Sequence, residues 1–145
     1  MSYSIKVRVY QTNVNAFFSI VEKSIWHYAN GGTWVETGGE HTLTIGGSGT
    51  SGMLRFVAAD GAEPFWVAVG VHNSVRWVDI VTNLTGEDTC VKSLPDYYNN
   101  GNPERVKARE AQRVKWTATN ASGRRISAEY SVSDGHDLEL NVVIG

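Results

Sequence analysis

Period-two alternation at both ends of the chain constrains this fold more than any other feature. Tyr3, Ile5, Val7 and Val9 alternate with Ser4, Lys6 and Arg8, which is the pattern of a strand with one face buried and one in water. Ile126, Ala128, Tyr130 and Val132 alternate with Ser127, Glu129 and Ser131, and Leu138, Leu140, Val142 and Ile144 continue the pattern around Glu139 and Asn141. Asp134-Gly135 separates these last two runs, so they read as a hairpin. Phe65 to Val71 is apolar at every position, which predicts a central strand covered on both faces. Shorter strands are expected at Ile20–Tyr28, Thr33–Glu36, Thr42–Ile45, Met53–Ala58, Trp77–Thr82 and Val114–Thr119. Many short strands separated by turn residues point to an all-β sandwich. One helix is predicted: Asn102 as cap, Pro103 in the first position and Glu104 at the positive end. Its apolar residues are only Val106, Ala108 and Ala111, which places it on the surface, bridging two groups of strands. Asp96-Tyr97-Tyr98 reads as a short turn before it. With 145 residues, no internal repeat and no shift in composition, residues 1–145 are expected to form a single domain.

Charge and cysteine content narrow the partners. The formal net charge is −2, which argues against nucleic acid, whose binding rests on neutralised phosphates. Cys90 is the only cysteine, so no internal disulfide forms, and Met1–Lys6 shows no secretory pattern. The expectation is a cytoplasmic protein, with Asn83-Leu84-Thr85 and Asn120-Ala121-Ser122 as turn residues and not glycosylation sites. No apolar run approaches membrane-spanning length.

Several segments carry possible chemistry. Gly46-Gly47-Ser48-Gly49-Thr50-Ser51-Gly52 is glycine-rich but lacks the Gly-Lys-Ser/Thr ending of a phosphate-binding loop. It reads either as a flexible turn or as a loop whose bare backbone lets a ligand approach. His27, His41, His72 and His136 stand in no zinc-ligand spacing with one another or with Cys90. Ser48 has no nucleophile elbow around it, and Asp79 could belong to a carboxylate pair for glycoside hydrolysis only as any β domain offers such pairs. No catalytic residue, metal or cofactor is expected. Trp26, Trp34, Trp66, Trp77 and Trp116 are many for this length; Trp26 and Trp77 are expected in the core. A tryptophan or tyrosine left in a polar rim offers a flat face to the CH side of a sugar ring. His72-Asn73, Asp79 and Thr82 are polar groups suited to fixing its hydroxyls.

The residues also carry a resemblance along nearly the whole chain. Arg8-Val9-Tyr10-Gln11-Thr12-Asn13, Ala16-Phe17-Phe18, Tyr28-Ala29-Asn30-Gly31-Gly32-Thr33-Trp34, the Gly46–Gly52 loop, Gly70-Val71-His72-Asn73, Arg76-Trp77, Asp79-Ile80-Val81-Thr82-Asn83-Leu84 and Tyr97-Tyr98 are similar to the fungal fruit-body lectins, mushroom lectins that bind the T-antigen disaccharide. The resemblance implies an actinoporin-like β-sandwich, all-β with a minor helical segment, its two sheets joined by a short helix-loop-helix. It implies a multivalent hemagglutinin, a homotetramer that binds glycans and glycoproteins reversibly without metal. Two sugar sites per protomer are implied. One, for GalNAc and Galβ1-3GalNAc, corresponds to Ala29, Asn30, Ser48, Gly49, His72 and Asn73. The other, for terminal GlcNAc, corresponds to Asp79, Ile80, Val81, Thr82, Arg105 and Trp116, with Arg109 as the alternative to Arg105. Ser74 and Val75 stand where the family usually has tyrosine and lysine, Val78 where it often has cysteine, and Trp116 where it usually has tyrosine. Trp116 also shares a strand face with Val114 and Ala118, so a core position is the competing reading. A membrane-active pore-former of similar fold would need an amphipathic segment ahead of the first strand; here the strand starts almost at Met1, and no membrane insertion is expected.

Overall fold

The alternating runs become ten strands in two sheets in a computed structural model that describes residues 1–145. The strands are β1 (Tyr3–Gln11), β2 (Ser19–Trp26), β3 (Gly32–Thr37), β4 (Glu40–Ile45), β5 (Ser51–Val57), β6 (Phe65–His72), β7 (Val75–Val81), β8 (Lys115–Thr119), β9 (Arg125–Val132) and β10 (Asp137–Ile144). One sheet has the order β3-β4-β1-β10-β9-β8, the other β2-β5-β6-β7. The two ends of the chain meet at the centre of the larger sheet, where β1 and β10 pair in parallel with Ile5 opposite Leu138 and Val7 opposite Leu140. The predicted C-terminal hairpin is the antiparallel β9–β10 pair.

Because side chains alternate, each strand divides its residues between two environments. Ile5, Val7, Leu140 and Val142 from the larger sheet meet Leu54, Phe56, Val67, Val69, Val78 and Ile80 from the smaller one, all at most 4% exposed. Burying each such side chain contributes roughly 1.5–3 kcal/mol. The other face of the smaller sheet is not left to water. Met53, Trp66, Ala68 and Trp77 pack there against Cys90, Leu94, Tyr97, Tyr98 and Ala108 of the segment linking β7 to β8. This is why β6 is apolar at every position: both of its faces are covered.

The linking segment comprises α1 (Cys90–Ser93), a 3-10 turn at Leu94–Tyr97 and α2 (Pro103–Ala111). It carries the chain from one sheet to the other, as expected. Asn102 Oδ1 accepts from the backbone N–H groups of Glu104 and Arg105 at 3.0 and 3.3 Å, the predicted cap. As expected, α2 lies on the surface, and it docks one side on the sheet. Ala108 is buried, and the half-buried Arg105 and Arg109 lay their stems along the same side, a use of long cationic side chains that hydropathy does not register.

Two chain crossings between the sheets shape the first candidate site. The Tyr28–Gly31 turn joins β2 to β3, and Gly46–Thr50 joins β4 to β5. They press on each other: the Gly46 N–H donates to the Gly31 carbonyl at 2.8 Å, and a Cβ on Gly46 would come within 2.6 Å of Asn30 Cβ. The glycines therefore permit close packing of two crossovers, which replaces the flexible-turn reading. Of the two sequon asparagines, Asn120 is buried, its Oδ1 accepts from the Ser122 and Arg124 amides, and its Nδ2 donates to Glu63.

Candidate functional site

The outer face of the smaller sheet, on either side of α2, holds two hollows. The first, about 480 Å³, lies at the β6–β7 turn and is lined by Trp26, Tyr28, Ser48, Gly49, His72, Asn73, Tyr98, Asn99 and Arg109. Asn73 and Ser74 form the two-residue turn, with φ of 49° and 66°, the left-handed pair that matches the twist of a hairpin. The Ser74 N–H donates to Ser48 Oγ at 2.9 Å, and the Gly49 N–H to the Val71 carbonyl at 2.8 Å, so the glycine crossover and the turn are held together. Tyr98 stacks on Trp26 with centroids 4.4 Å apart and planes 7° apart, and its hydroxyl meets Ser51 Oγ at 2.7 Å. Trp26 is thus not a core residue as expected; it is half-buried and forms an aromatic wall.

Arg109 fixes His72. Its Nη1 lies 2.8 Å from His72 Nδ1, its Nε donates to the Tyr97 carbonyl at 2.8 Å, and its guanidinium lies 4.7 Å from the Tyr98 ring centroid. A guanidinium has no acceptor, so Nδ1 must accept and the neutral imidazole carries its proton on Nε2. Nε2 then has a proton to donate, and Asn73 Nδ2, itself a donor, lies 3.4 Å away and does not accept it. Partial burial, then the Arg109 charge, hold the imidazole below its ordinary range, which keeps this arrangement neutral.

The second hollow, about 550 Å³, lies between β7, β8 and α2, and its wall includes Asp79, Ile80, Val81, Thr82, Arg105 and Trp116. All six residues attributed to the second site by resemblance are together here. Asp79 lies on the helix-facing side of β7 and is 2% exposed. Its Oδ2 accepts from the Tyr97 hydroxyl at 2.6 Å and from Arg105 Nη1 at 2.8 Å, and the Tyr97 oxygen accepts from Trp66 Nε1 at 2.9 Å. Burial and the neighbouring Asp79 charge push the Tyr97 phenol well above its usual range, so it remains a donor. Asp79 Oδ1 has Arg113 Nη1 at 3.7 Å and no hydrogen bond, which leaves it as an acceptor. Trp116 is 37% exposed and lines the hollow, so the core reading fails; the Arg113 guanidinium lies 3.7 Å from its ring centroid.

Of the first set, Ser48, Gly49, His72 and Asn73 line the first hollow, whereas Ala29 and Asn30 lie beneath the glycine crossover and do not line it. Arg109, the alternative for the second hollow, belongs to the first, one helical turn from Arg105. Spacing i, i+4 could have shown that the two arginines share a face, but not that they serve different cavities. Tyr97 and Tyr98, read as a turn, send one hydroxyl to each side, toward Asp79 and toward Ser51. Val78 is wholly buried between the sheets. In the first hollow Ser48 Oγ accepts from the Ser74 N–H and His72 Nδ1 from Arg109, and no serine–histidine hydrogen bond forms. An aromatic face beside fixed donors and acceptors suits reversible binding of a polyhydroxylated ring.

Comparison with known proteins shows the family and the fold. Residues 1–142 match the family model described as fungal fruit body lectin. The chain is 53% identical to the Boletus edulis lectin over 144 residues, 99% of each chain. It is similar to the crystal structure of the wild-type Xerocomus chrysenteron lectin, with 53% identity, a TM-score of 0.95 and 100% of both chains covered. A methionine-substituted form of that lectin matches with a TM-score of 0.96 and 53% identity, over 100% of this chain and 99% of the other. The chain belongs to the fungal fruit body lectin family and is a carbohydrate-binding protein, not an enzyme.

Proposed function

We propose that each protomer, a single domain, holds two separate sugar sites: the hollow at His72 for the N-acetylgalactosamine end of Galβ1-3GalNAc, and the hollow at Asp79 for terminal N-acetylglucosamine. The observation that carries this reading is the presence of two hollows on one sheet face, each with its own aromatic wall and its own fixed polar set. In the first, Ser48, Asn73 and the His72 Nε2 proton offer hydrogen bonds beside Tyr28. In the second, Asp79 Oδ1 accepts from a ring hydroxyl, Arg105 and Thr82 supply donors, and Trp116 faces the sugar. The sugar identities rest on the family resemblance. Every contact is a hydrogen bond or a ring contact, so binding requires no metal, and single-sugar affinities of about micromolar to millimolar follow. We further propose a homotetramer, in which linked sites raise apparent affinity by roughly 10²–10⁴ and agglutinate cells. A monomer mass in light scattering would refute it.

Calorimetry on two variants tests the assignment. Asn73→Ala is expected to lose the disaccharide and keep N-acetylglucosamine, and Asp79→Asn the reverse, since a hydrogen bond to a charged group contributes about 1.5–3 kcal/mol. Loss of both sugars together in either folded variant counts against two sites.

A further inference from the structure

We propose that the hollow at Asp79 is built for an anionic N-acetylglucosamine, one carrying a sulfate or phosphate ester, an inference that rests on reading this hollow as the N-acetylglucosamine site. Three cations, Arg105, Lys107 and Arg113, line it against two carboxylates, Asp79 and Glu104. Asp79 Oδ2 is already engaged by Tyr97 and Arg105, and Glu104, with its side chain 85% exposed, reaches only Arg105, at 3.5 Å. Arg113 makes no hydrogen bond to the protein; its charged neighbour is Asp79 Oδ1 at 3.7 Å. Lys107 has neither an ion pair nor a hydrogen bond. Two cations thus face the cavity without an acceptor.

Arg113 is also held in place. Its guanidinium rests 3.7 Å from the Trp116 ring centroid, a contact stronger on indole than on phenol. A stacked guanidinium keeps its donors in a rigid fork, the geometry that binds sulfate and phosphate in bidentate fashion. Trp116 remains 37% exposed beside this stack, so a sugar ring that meets the indole brings an ester within reach of Arg113. The hollow is also polarised. Asp88 and Asp96 line a neighbouring hollow beyond Thr82 and Arg105, which directs an anionic substituent toward Arg113 and Lys107.

Titrations of the whole protein with N-acetylglucosamine, its 6-sulfate and its 6-phosphate, each at low and high salt, test this. At least one ester should bind about tenfold or more tighter than the neutral sugar at low salt, equivalent to about 1.4 kcal/mol, with the advantage shrinking as salt screens it. A preference for one ester over the other identifies which source the site reads. In Arg113→Ala the affinity ratio of ester to neutral sugar should fall to near one, and Arg113→Lys, which keeps the charge but loses the fork, should retain part of it. Thermal melts establish that both variants are folded. Esters binding no tighter than the neutral sugar, or an advantage that survives in folded Arg113→Ala, overturn the proposal while leaving the N-acetylglucosamine site intact. Failure of neutral sugar and esters alike overturns both.

Discussion

Replacing Tyr97 by Phe removes one oxygen from a wholly buried ring, and the structure sets what that oxygen does. It donates to Asp79 Oδ2 at 2.6 Å and accepts from Trp66 Nε1 at 2.9 Å. The variant loses one hydrogen bond to a charged group, worth about 1.5–3 kcal/mol, and leaves a buried indole N–H unsatisfied at a cost of about 1–3 kcal/mol. These are not independent, and a net loss of roughly 2–4 kcal/mol is expected. For a chain of this length each kcal/mol moves the melting temperature by roughly 3–4 °C, so the midpoint should fall by about 6–16 °C. Asp79 keeps Arg105 but loses its second anchor, and N-acetylglucosamine affinity should fall about tenfold. The disaccharide should be spared, because Arg109 is held by the Tyr97 backbone carbonyl, which the substitution does not touch. Calorimetric melting and sugar titration read both effects. A midpoint within a degree or two of wild type, or equal loss of both sugars, refutes the reasoning.

Two further outcomes follow from the same geometry. Adding N-acetylglucosamine should shift the tryptophan fluorescence, and Trp116→Phe should abolish the shift with little change in melting temperature, because the ring lines the hollow and is partly exposed; a shift that persists in this variant places the sugar elsewhere. His72 is held below its ordinary value by burial and by Arg109, so its contribution is complete above about pH 6.5 and is lost as pH falls below that. Disaccharide binding and thermal stability should therefore both weaken toward pH 5. His72→Gln should remove the pH dependence of binding and only part of that of stability, because burial holds His41 below its ordinary range as well; an unchanged binding profile in that variant assigns the effect to another group.

How much of this was legible in the sequence follows from the range of each signal. Alternation is local, and it located β1, β9, β10 and the doubly buried β6. The Asn102-Pro103-Glu104 start of α2 is local as well. Pairing of β1 with β10 joins the two ends of the chain, and no local pattern encodes a parallel register. α1 was legible only through the resemblance, as one arm of the helix-loop-helix, because four residues carry too little periodicity. The second hollow was legible through resemblance because its Asp79–Thr82 stretch is contiguous, at the end of β7 and the residue after it. The roles of Tyr97, Tyr98, Arg109 and Arg113 were not, since each acts through a side chain that crosses to another element. Trp26 shows the same gap: alternation predicts that one face is covered, but not whether the cover leaves an edge open.

The central claim, two independent sugar sites on one chain, is tested most directly by sequential calorimetry on the wild-type protein in buffer containing a metal chelator. Saturation with N-acetylglucosamine should leave the subsequent binding of Galβ1-3GalNAc unchanged in affinity, with one equivalent of each sugar per chain. Competition between the two sugars, a total of one equivalent per chain, or loss of either binding on chelation would contradict the account.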